Sequence, residues 1–207
     1  MRVHAKFVLS ATDVAHFPAP VAPEVAFLGR SNVGKSSVMN SLVGEKIART
    51  SSTPGRTRTI NFFEIRRPGQ PQPDFVFADL PGYGYAKVPR EVMAEWPKFI
   101  EPYLLHREPL ALCIALVDAN VPPQPSDRNM IDWLRDNDRR FLVVATKADR
   151  LSGNRLQPAL RKLRDELEIE AAVPFSARTG AGRVDLWRHI RQACAREEST
   201  GDTTLAV

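Results

Sequence analysis

Continuous apolar runs and helix-like repeats alternate along most of the chain. Residues 25–28, 110–117 and 141–145 are unbroken apolar runs, which is typical of parallel strands that are buried on both faces. In residues 126–137 and 184–194, apolar side chains recur every three or four positions, the period of a helix with one buried face. The pattern predicts an α/β fold with a mostly parallel sheet and helices on both faces.

Two shorter features complete the predicted architecture. The apolar runs at residues 60–65 and 75–79 flank a turn rich in proline and glycine, so they predict a hairpin that adds one antiparallel edge strand. Residues 91–105 have a helical pattern that Pro97 and Pro102 interrupt. We expect a kinked or split helix there, because proline removes a backbone donor.

The two ends of the chain differ from its middle. Residues 1–24 contain Phe7-Val8-Leu9 followed by three prolines, which indicates an N-terminal extension that packs on the domain and could add a short strand. Residues 196–207 are polar and have no period, so a disordered tail is expected. The domain itself is expected to span residues 25–195.

The composition fits a single cytoplasmic domain. Of 207 residues, 43% are hydrophobic, and the formal net charge of +5 favours an acidic partner such as RNA. Cys113 and Cys194 form no C-x-x-C pair and are expected to be free thiols in a reducing compartment. No stretch approaches the roughly 18 apolar residues of a membrane span, and residues 1–10 lack the apolar segment of a signal peptide. A cytoplasmic protein without a membrane partner is therefore expected.

A phosphate-binding loop follows the first buried run. The sequence there is Gly29-Arg30-Ser31-Asn32-Val33-Gly34-Lys35-Ser36, and it opens a helical pattern, as a P-loop requires. The glycines allow backbone N–H groups to turn toward an anion, and the positive end of the new helix adds to the attraction. Lys35 can reach the β- and γ-phosphates, and the Ser36 hydroxyl suits a magnesium ligand. The loop predicts a nucleoside triphosphate bound with Mg²⁺.

Two further segments are expected at the phosphates. The hairpin ends in Asp79-Leu80-Pro81-Gly82, where the carboxylate would hold Mg²⁺ through water and the Gly82 N–H would sense the γ-phosphate. Residues 46–59 form a long, basic loop directly after the P-loop helix. Such a loop is more often a functional lid than a surface loop without a role.

The base is predicted from Thr146-Lys147-Ala148-Asp149, which follows a buried run. The Asp149 carboxylate can accept hydrogen bonds from guanine N1–H and N2–H₂, whereas adenine lacks both donors in that arrangement. The aliphatic stem of Lys147 can lie along the base plane. A Lys-x-Asp pair alone is a weak signal, but downstream of a P-loop and an Asp-x-x-Gly it predicts a guanine nucleotide.

Three alternatives remain open from the residues alone. A P-loop kinase or ATPase would prefer adenine nucleotides. A nucleotide-dependent RNA-binding module that uses the nucleotide as structure would release no significant phosphate. A basic RNA-binding protein with an irrelevant P-loop would keep binding RNA after Lys35→Ala.

The motifs together resemble those of the bacterial EngB (YihA/YsxC) GTPases. Besides the P-loop and the Thr146–Asp149 segment, the resemblance rests on Thr53-Pro54-Gly55-Arg56-Thr57, Ile60-Asn61-Phe62-Phe63, Asp79-Leu80-Pro81-Gly82-Tyr83-Gly84-Tyr85-Ala86 and Phe175-Ser176-Ala177. It extends from about Phe7 to Ala195, and it implies a Ras-like domain with a six-stranded sheet.

The resemblance also implies a function. The protein would be a GTPase needed for assembly of the large ribosomal subunit and for normal cell division and septation. Its partners would be GTP, GDP and the rRNA and ribosomal proteins of the large subunit or its precursor. DNA is not expected as a partner, and a monomer is expected.

By the same resemblance, each motif residue receives a role. Lys35, Thr57 and Gly82 would make the catalytic contacts. Ser36 and Thr57 would be the Mg²⁺ ligands, with Thr53 as the alternative to Thr57, and Asn32 would help to hold K⁺. The nucleotide-binding residues implied are Gly29, Arg30, Ser31, Asn32, Val33, Gly34, Lys35, Ser36, Gly55, Arg56, Thr57, Arg58, Thr59, Asp79, Leu80, Pro81, Gly82, Thr146, Lys147, Ala148, Asp149, Phe175, Ser176 and Ala177.

Two positions depart from the general GTPase pattern, and a third departs from the pattern of the family that this chain resembles. Tyr83 stands where Ras-type proteins have the glutamine that orients the attacking water, so intrinsic hydrolysis is expected to be slow. Thr146 stands where most GTPases have asparagine. Both replacements are usual in the family that this chain resembles, whereas Arg58 in place of the family's glutamine is unexplained.

Overall fold

One seven-stranded sheet forms the centre of the molecule. The computed structural model describes residues 2–48, 59–83 and 100–195. The strands are β1 (His4–Ala11), β2 (Glu24–Gly29), β3 (Ile60–Arg66), β4 (Phe75–Asp79), β5 (Leu110–Asp118), β6 (Phe141–Thr146) and β7 (Ala172–Pro174). They lie in the order β1-β3-β4-β2-β5-β6-β7, and every neighbouring pair is parallel except the two that include β3.

Helices cover both faces of this sheet. They are α1 (Lys35–Val43), α2 (residues 100–106), α3 (Pro125–Asp136), α4 (Gly153–Leu167) and α5 (Arg183–Ala195), with 3₁₀ turns at Val14–His16 and Ala148–Arg150. Successive residues of β2 point to opposite faces: Phe27 packs in one core with α1 and α5, and Leu28 packs in the other with α2, α3 and α4. The predicted α/β fold with helices on both faces is confirmed.

The sheet has one strand more than the six that the resemblance implies. β1 pairs antiparallel with β3, from His4 opposite Arg66 to Ala11 opposite Ile60, with a register shift between Phe7 and Leu9. β1 therefore forms the edge, and the antiparallel strand β3 lies second from the edge. The apolar core of β1 is only three residues long, too short for its pattern to separate a strand from a packed loop.

A buried ion pair holds the N-terminal segment against the start of β2. The carboxylate of Glu24 accepts a hydrogen bond of 2.8 Å from the Tyr103 hydroxyl and lies 3.0 Å from Arg107 Nε. The same guanidinium donates from Nη2 to the Pro18 carbonyl oxygen at 2.7 Å. Because a buried charge is tolerated only with a partner, this cluster fixes the strand that leads to the P-loop.

Two other expectations concern particular segments. Residues 100–106 are helical and include Pro102, while the rest of the interrupted helix predicted over 91–105 lies outside the described residues. Cys113 and Cys194 are buried free thiols. Within residues 2–48, 59–83 and 100–195, every helix is too short or too polar to cross a bilayer.

The strand register brings the predicted motifs to one edge of the sheet. Phe27 of β2 pairs with Asp79 of β4, and Asp118 of β5 pairs with Thr146 of β6. The loops that follow β2, β4, β5, β6 and β7 therefore open along the same edge. Parallel α/β sheets bind their ligands at this carboxyl edge.

Candidate nucleotide-binding site

The P-loop is shaped by its two glycines. Gly34 has φ 105° and precedes the first residue of α1, Lys35, in a conformation that favours glycine. A Cβ on Gly29 would lie 2.7 Å from Val33 Cγ1, so a side chain at residue 29 would collide with the loop. The turn places the amino end of α1, which carries the positive end of the helix dipole, directly after the loop.

The P-loop lysine and the acidic residue of Asp-x-x-Gly meet directly. The Lys35 ammonium forms an ion pair with Asp79 Oδ1, and both side chains are largely shielded from solvent. The two side chains lie close together because β2 pairs with β4 and the two strands end at the same level. A cation that suits phosphate and a carboxylate that suits Mg²⁺ thus lie side by side.

The segment after Asp79 runs along the P-loop. The Leu80 N–H donates to the Phe27 carbonyl oxygen at 3.2 Å, and the Ser31 N–H donates to the Tyr83 carbonyl oxygen at 3.1 Å. A Cβ on Gly82 would lie 3.1 Å from Ser31 Oγ, so the contact favours glycine at residue 82. The predicted γ-phosphate sensor therefore lies against the P-loop backbone.

Thr146 connects the base-reading segment to the P-loop. Its side chain is 1% exposed, and its hydroxyl donates to the Val33 carbonyl oxygen at 2.7 Å. The Val117 carbonyl oxygen lies at 3.3 Å on the other side. The threonine hydroxyl therefore makes the hydrogen bond between the two loops. The amide of the asparagine that most GTPases have at this position is not required for it.

Lys147 is held across the P-loop by two partners. Its Nζ donates to the Asn32 carbonyl oxygen at 2.9 Å and to Asp118 Oδ2 at 2.7 Å. Its backbone is left-handed, with φ 56°, which turns the side chain over the loop. A Cβ placed on Gly34 would lie 3.9 Å from Lys147 Cε, so the aliphatic stem passes over that glycine.

Asp118 and Asn120 belong to this arrangement, although no motif contains them. Asn120 Nδ2 lies 3.0 Å from Asp118 Oδ1 and 3.0 Å from the Lys147 carbonyl oxygen. Burial raises the pKa of Asp118, but hydrogen bonds from Lys147 and Asn120 outweigh burial and hold the pKa below its ordinary value. In the sequence, the feature that could have indicated Asp118 is its position directly after a fully apolar run.

Two hydrogen bonds favour the ionised form of the Asp149 carboxylate. Its Oδ1 accepts a hydrogen bond of 2.6 Å from the Ser176 hydroxyl, and its Oδ2 accepts one of 2.8 Å from Arg178 Nε. These two bonds hold the pKa of Asp149 below its ordinary value. Ser176 was predicted at this position, whereas Arg178 was missed because an exposed arginine outside a motif carries no signal.

The last loop is fixed through backbone contacts. The Ala148 N–H donates to the Phe175 carbonyl oxygen at 3.1 Å, and the Phe175 N–H donates to the Ala145 carbonyl oxygen at 2.8 Å. A Cβ on Gly182 would lie 2.0 Å from the Pro174 carbonyl oxygen. The loop that carries Ser176 therefore closes tightly over the end of β6.

A cleft of about 700 Å³ opens between these elements. Its volume is within the range of small-molecule sites. Gly34 and α1 form one wall, and the loops that follow β6 and β7 form the other. The lining residues are Gly34, Ser37, Val38, Asn40, Ser41, Thr146, Lys147, Asp149, Arg150, Ala177 and Arg178. The cleft thus joins the predicted phosphate loop to the predicted base-reading loops.

The remaining predicted residues fall into two groups. Thr59 lies just before β3, where its hydroxyl is 3.2 Å from Asn61 Oδ1, and Ser36 is the second residue of α1. Gly55, Arg56, Thr57 and Arg58, together with the alternative Thr53, lie outside the described residues.

The oxygen donors present fit a magnesium–nucleotide site. Mg²⁺ is usually held by one or two protein oxygens together with substrate phosphates and water. Ser36 offers a hydroxyl and Asp79 a carboxylate beside Lys35. The described residues contain no group of three or more histidine, cysteine or acidic side chains that could hold a metal on their own.

A family model and two similar sequences all match this chain to GTP-binding proteins. The family described as 50S ribosome-binding GTPase matches residues 24–147. The chain is 61% identical over 197 residues to a probable GTP-binding protein EngB of Koribacter versatilis, covering 95% of this chain and 97% of that protein. It is 57% identical over 196 residues to the corresponding protein of Acidobacterium capsulatum, covering 94% and 93% of the two chains.

A solved structure shows the same fold. The crystal structure of a probable GTP-binding protein engB matches with a TM-score of 0.66 and 25% identity, covering 84% of this chain and 99% of that one. Fold, motifs and relatives together define the class as a P-loop GTPase. The chain belongs to the EngB family of GTP-binding proteins.

Proposed function

We propose that this protein is a guanine-nucleotide switch that hydrolyses GTP slowly and acts in assembly of the large ribosomal subunit. The observation that carries the proposal is that the Lys35–Asp79 pair and the Asp149 carboxylate lie at the same edge of the sheet, where Gly34, the residue before Lys35, and Asp149 both line the cleft. The two groups suit the two ends of a guanine nucleotide.

The nucleotide contacts follow from the chemistry of the site. Lys35 and the amino end of α1 would bind the phosphates, and the Gly82 N–H would reach the γ-phosphate. Asp149 would accept hydrogen bonds from guanine N1–H and N2–H₂, while Lys147 would cover the base with its stem. Ser176 keeps Asp149 in position.

Ser36 and Thr57 are the proposed ligands of Mg²⁺, and Asp79 would contact it through water. When bound, Mg²⁺ would neutralise the charge that develops on the phosphates. Asn32 is the residue proposed to help hold K⁺. The Mg²⁺ assignments use oxygen donors, which this hard cation prefers.

Slow hydrolysis is proposed from the environment of Tyr83. Burial raises the pKa of Tyr83 well above its ordinary value, and the nearby Asp127 carboxylate raises it further. The phenol interacts with Asp127 and stays protonated, so it would not act as a general base. With no glutamine at this position, orientation of water would depend on a partner or on ions.

The ribosomal role is supported by the description of the matching family and by charge. That family is described as 50S ribosome-binding, and the chain carries a net charge of +5. GTP would tether Thr57 and Gly82, and the basic residues 46–60 with the segment 80–88 would then bind rRNA or ribosomal protein. Hydrolysis would release both segments. A cytoplasmic monomer that supports cell division is the corresponding cellular proposal.

The proposal is tested with isolated large ribosomal subunits. Co-sedimentation is measured with GDP and with a non-hydrolysable GTP analogue, over a series of salt concentrations. Tighter binding with the analogue is expected, and a steep loss with salt would indicate phosphate contacts. Equal binding with both nucleotides would contradict the switch.

A parallel assay of phosphate release distinguishes the alternative function. The lack of glutamine at residue 83 favours, as a second candidate, a nucleotide-dependent RNA-binding module without significant hydrolysis. Phosphate release that rises above the intrinsic rate when subunits are added would support the GTPase. No release under any of these conditions would support the binding module.

A further inference from the structure

One buried carboxylate outside every motif touches two parts of the candidate site. Asp127 is the third residue of α3 and is 0% exposed. Arg30 Nε lies 3.0 Å from its Oδ1 and 2.9 Å from its Oδ2, and the Gln124 N–H donates to Oδ2 at 3.0 Å. The Tyr83 hydroxyl also donates to this carboxylate.

Two partners of Asp127, Arg30 and Tyr83, belong to segments of the candidate site. Arg30 directly follows Gly29 at the start of the P-loop, and Tyr83 directly follows Gly82, the proposed γ-phosphate sensor. Main-chain hydrogen bonds also join Tyr83 to the residues on either side of Arg30. The Ser31 N–H donates to the Tyr83 carbonyl oxygen at 3.1 Å, and the Tyr83 N–H donates to the Gly29 carbonyl oxygen at 3.3 Å. Tyr83 is thus anchored by its main chain to the P-loop and by its side chain to α3.

The charges in this cluster depend on one another. Burial raises the pKa of Asp127, and the hydrogen bonds from Gln124 and Arg30 only partly oppose that effect. Removal of Arg30 would leave a buried carboxylate without its cation, which is costly. The ion pair therefore stabilises the arrangement in which α3, the P-loop and the residue after Gly82 lie together.

We propose that Asp127 is a positioning residue of the switch. It holds Tyr83 in place, and Tyr83 in turn holds the adjacent Gly82 N–H where it can contact the γ-phosphate. This inference rests on the proposed function. A group that positions Gly82 should favour binding of GTP over GDP, because only GTP has the phosphate that Gly82 would contact. Asp127 itself would not touch the nucleotide.

The test compares two nucleotides in five proteins. Affinity for GDP and for a non-hydrolysable GTP analogue is measured with Mg²⁺ for the natural protein, Asp127→Asn, Tyr83→Phe and the double variant. Asp136→Asn is the control, since Asp136 is an exposed aspartate at the other end of α3. Thermal unfolding is followed in parallel.

The expected result is a selective loss. Asp127→Asn and Tyr83→Phe should each weaken binding of the analogue by roughly five- to tenfold relative to GDP, because the first change removes the charge of the acceptor and the second removes the donor of the same contact. The double variant should therefore be no worse than Asp127→Asn. Asp136→Asn should leave the ratio unchanged. An equal loss for both nucleotides, or a lower unfolding temperature with an unchanged ratio, would overturn the inference.

The outcomes also separate this inference from the proposed function. If the natural protein binds both nucleotides and every variant keeps its ratio, only the role of Asp127 is wrong. If the natural protein binds no guanine nucleotide, the proposed function fails with it. Should Asp127→Asn not fold, Tyr83→Phe decides alone, since it keeps the buried ion pair with Arg30.

Discussion

The hydroxyl of Thr146 lies 2.7 Å from the carbonyl oxygen of Val33 and donates a hydrogen bond to it. These residues are 113 positions apart, and the bond joins the base-reading segment to the P-loop. The two loops that would hold opposite ends of the nucleotide are thereby connected inside the protein.

Thr146→Val keeps the shape of the side chain but removes the donor. The buried Val33 carbonyl oxygen would lose its partner, so we expect a loss of about 1–2 kcal/mol in the free energy of unfolding. GDP affinity should fall by roughly five- to thirtyfold, because the base-reading loop is no longer tied to the P-loop. Selectivity for guanine should remain, because Asp149 is intact.

The matched control is Thr146→Ser, which retains the hydroxyl. Chemical denaturation and titration of a fluorescent GDP measure the two effects. If the serine and valine variants behaved alike, the hydrogen bond would not be the reason for the loss.

Asp118→Asn tests the partner of Lys147. The change removes the negative charge that lies 2.7 Å from the ammonium while preserving side-chain size. We expect GDP to bind roughly three- to tenfold more weakly, mainly through faster dissociation, because Lys147 is less firmly held over the loop. Stopped-flow displacement of a fluorescent nucleotide measures this rate.

A remote ion pair provides the comparison for that variant. Asp185 pairs with Arg188 on α5 at 3.0 Å, and both side chains are more than half exposed. Exposed pairs contribute little, so Asp185→Asn should leave GDP dissociation unchanged. A similar acceleration in both variants would mean that Asp118 has no specific role.

Asp149→Asn tests how the base is read. An amide offers a donor where guanine requires an acceptor, so GDP affinity should fall by at least roughly a hundredfold. Xanthine carries a carbonyl at C2 in place of the amine, so xanthosine diphosphate should bind the variant better than the natural protein. Competition with a fluorescent nucleotide measures both. Unchanged GDP affinity would place the base elsewhere.

The low pKa of Asp149 predicts how recognition depends on pH. Hydrogen bonds from Ser176 and Arg178 favour the carboxylate, so it should stay ionised until the pH falls below the ordinary aspartate value of 3.8. The affinity ratio of GDP to inosine diphosphate, which lacks only the 2-amino group, should therefore be constant from about pH 8 to pH 5. A midpoint inside this interval would show that another group controls recognition.

Much of the architecture could be read from local patterns. The glycines of the P-loop, the apolar runs of β2, β5 and β6, and the Lys-x-Asp segment each carry their signal within a few residues. The parallel sheet then brings them together, because parallel strands end at one edge.

Contacts between distant residues could not be read in the same way. Asp127 meets Arg30 across 97 positions, and Arg178 meets Asp149 across 29. Neither pair has a spacing that marks it. The edge strand β1 was uncertain for a related reason: its pairing with β3 depends on tertiary register and not on its own short apolar run.

The most direct measurement of the central claim is nucleotide selectivity. Fluorescent GDP is bound in the presence of Mg²⁺ and displaced with GTP or with ATP. A site that reads guanine through Asp149 predicts displacement by GTP at a concentration at least roughly a hundredfold lower than that required for ATP. Displacement by both nucleotides at the same concentration would contradict the account.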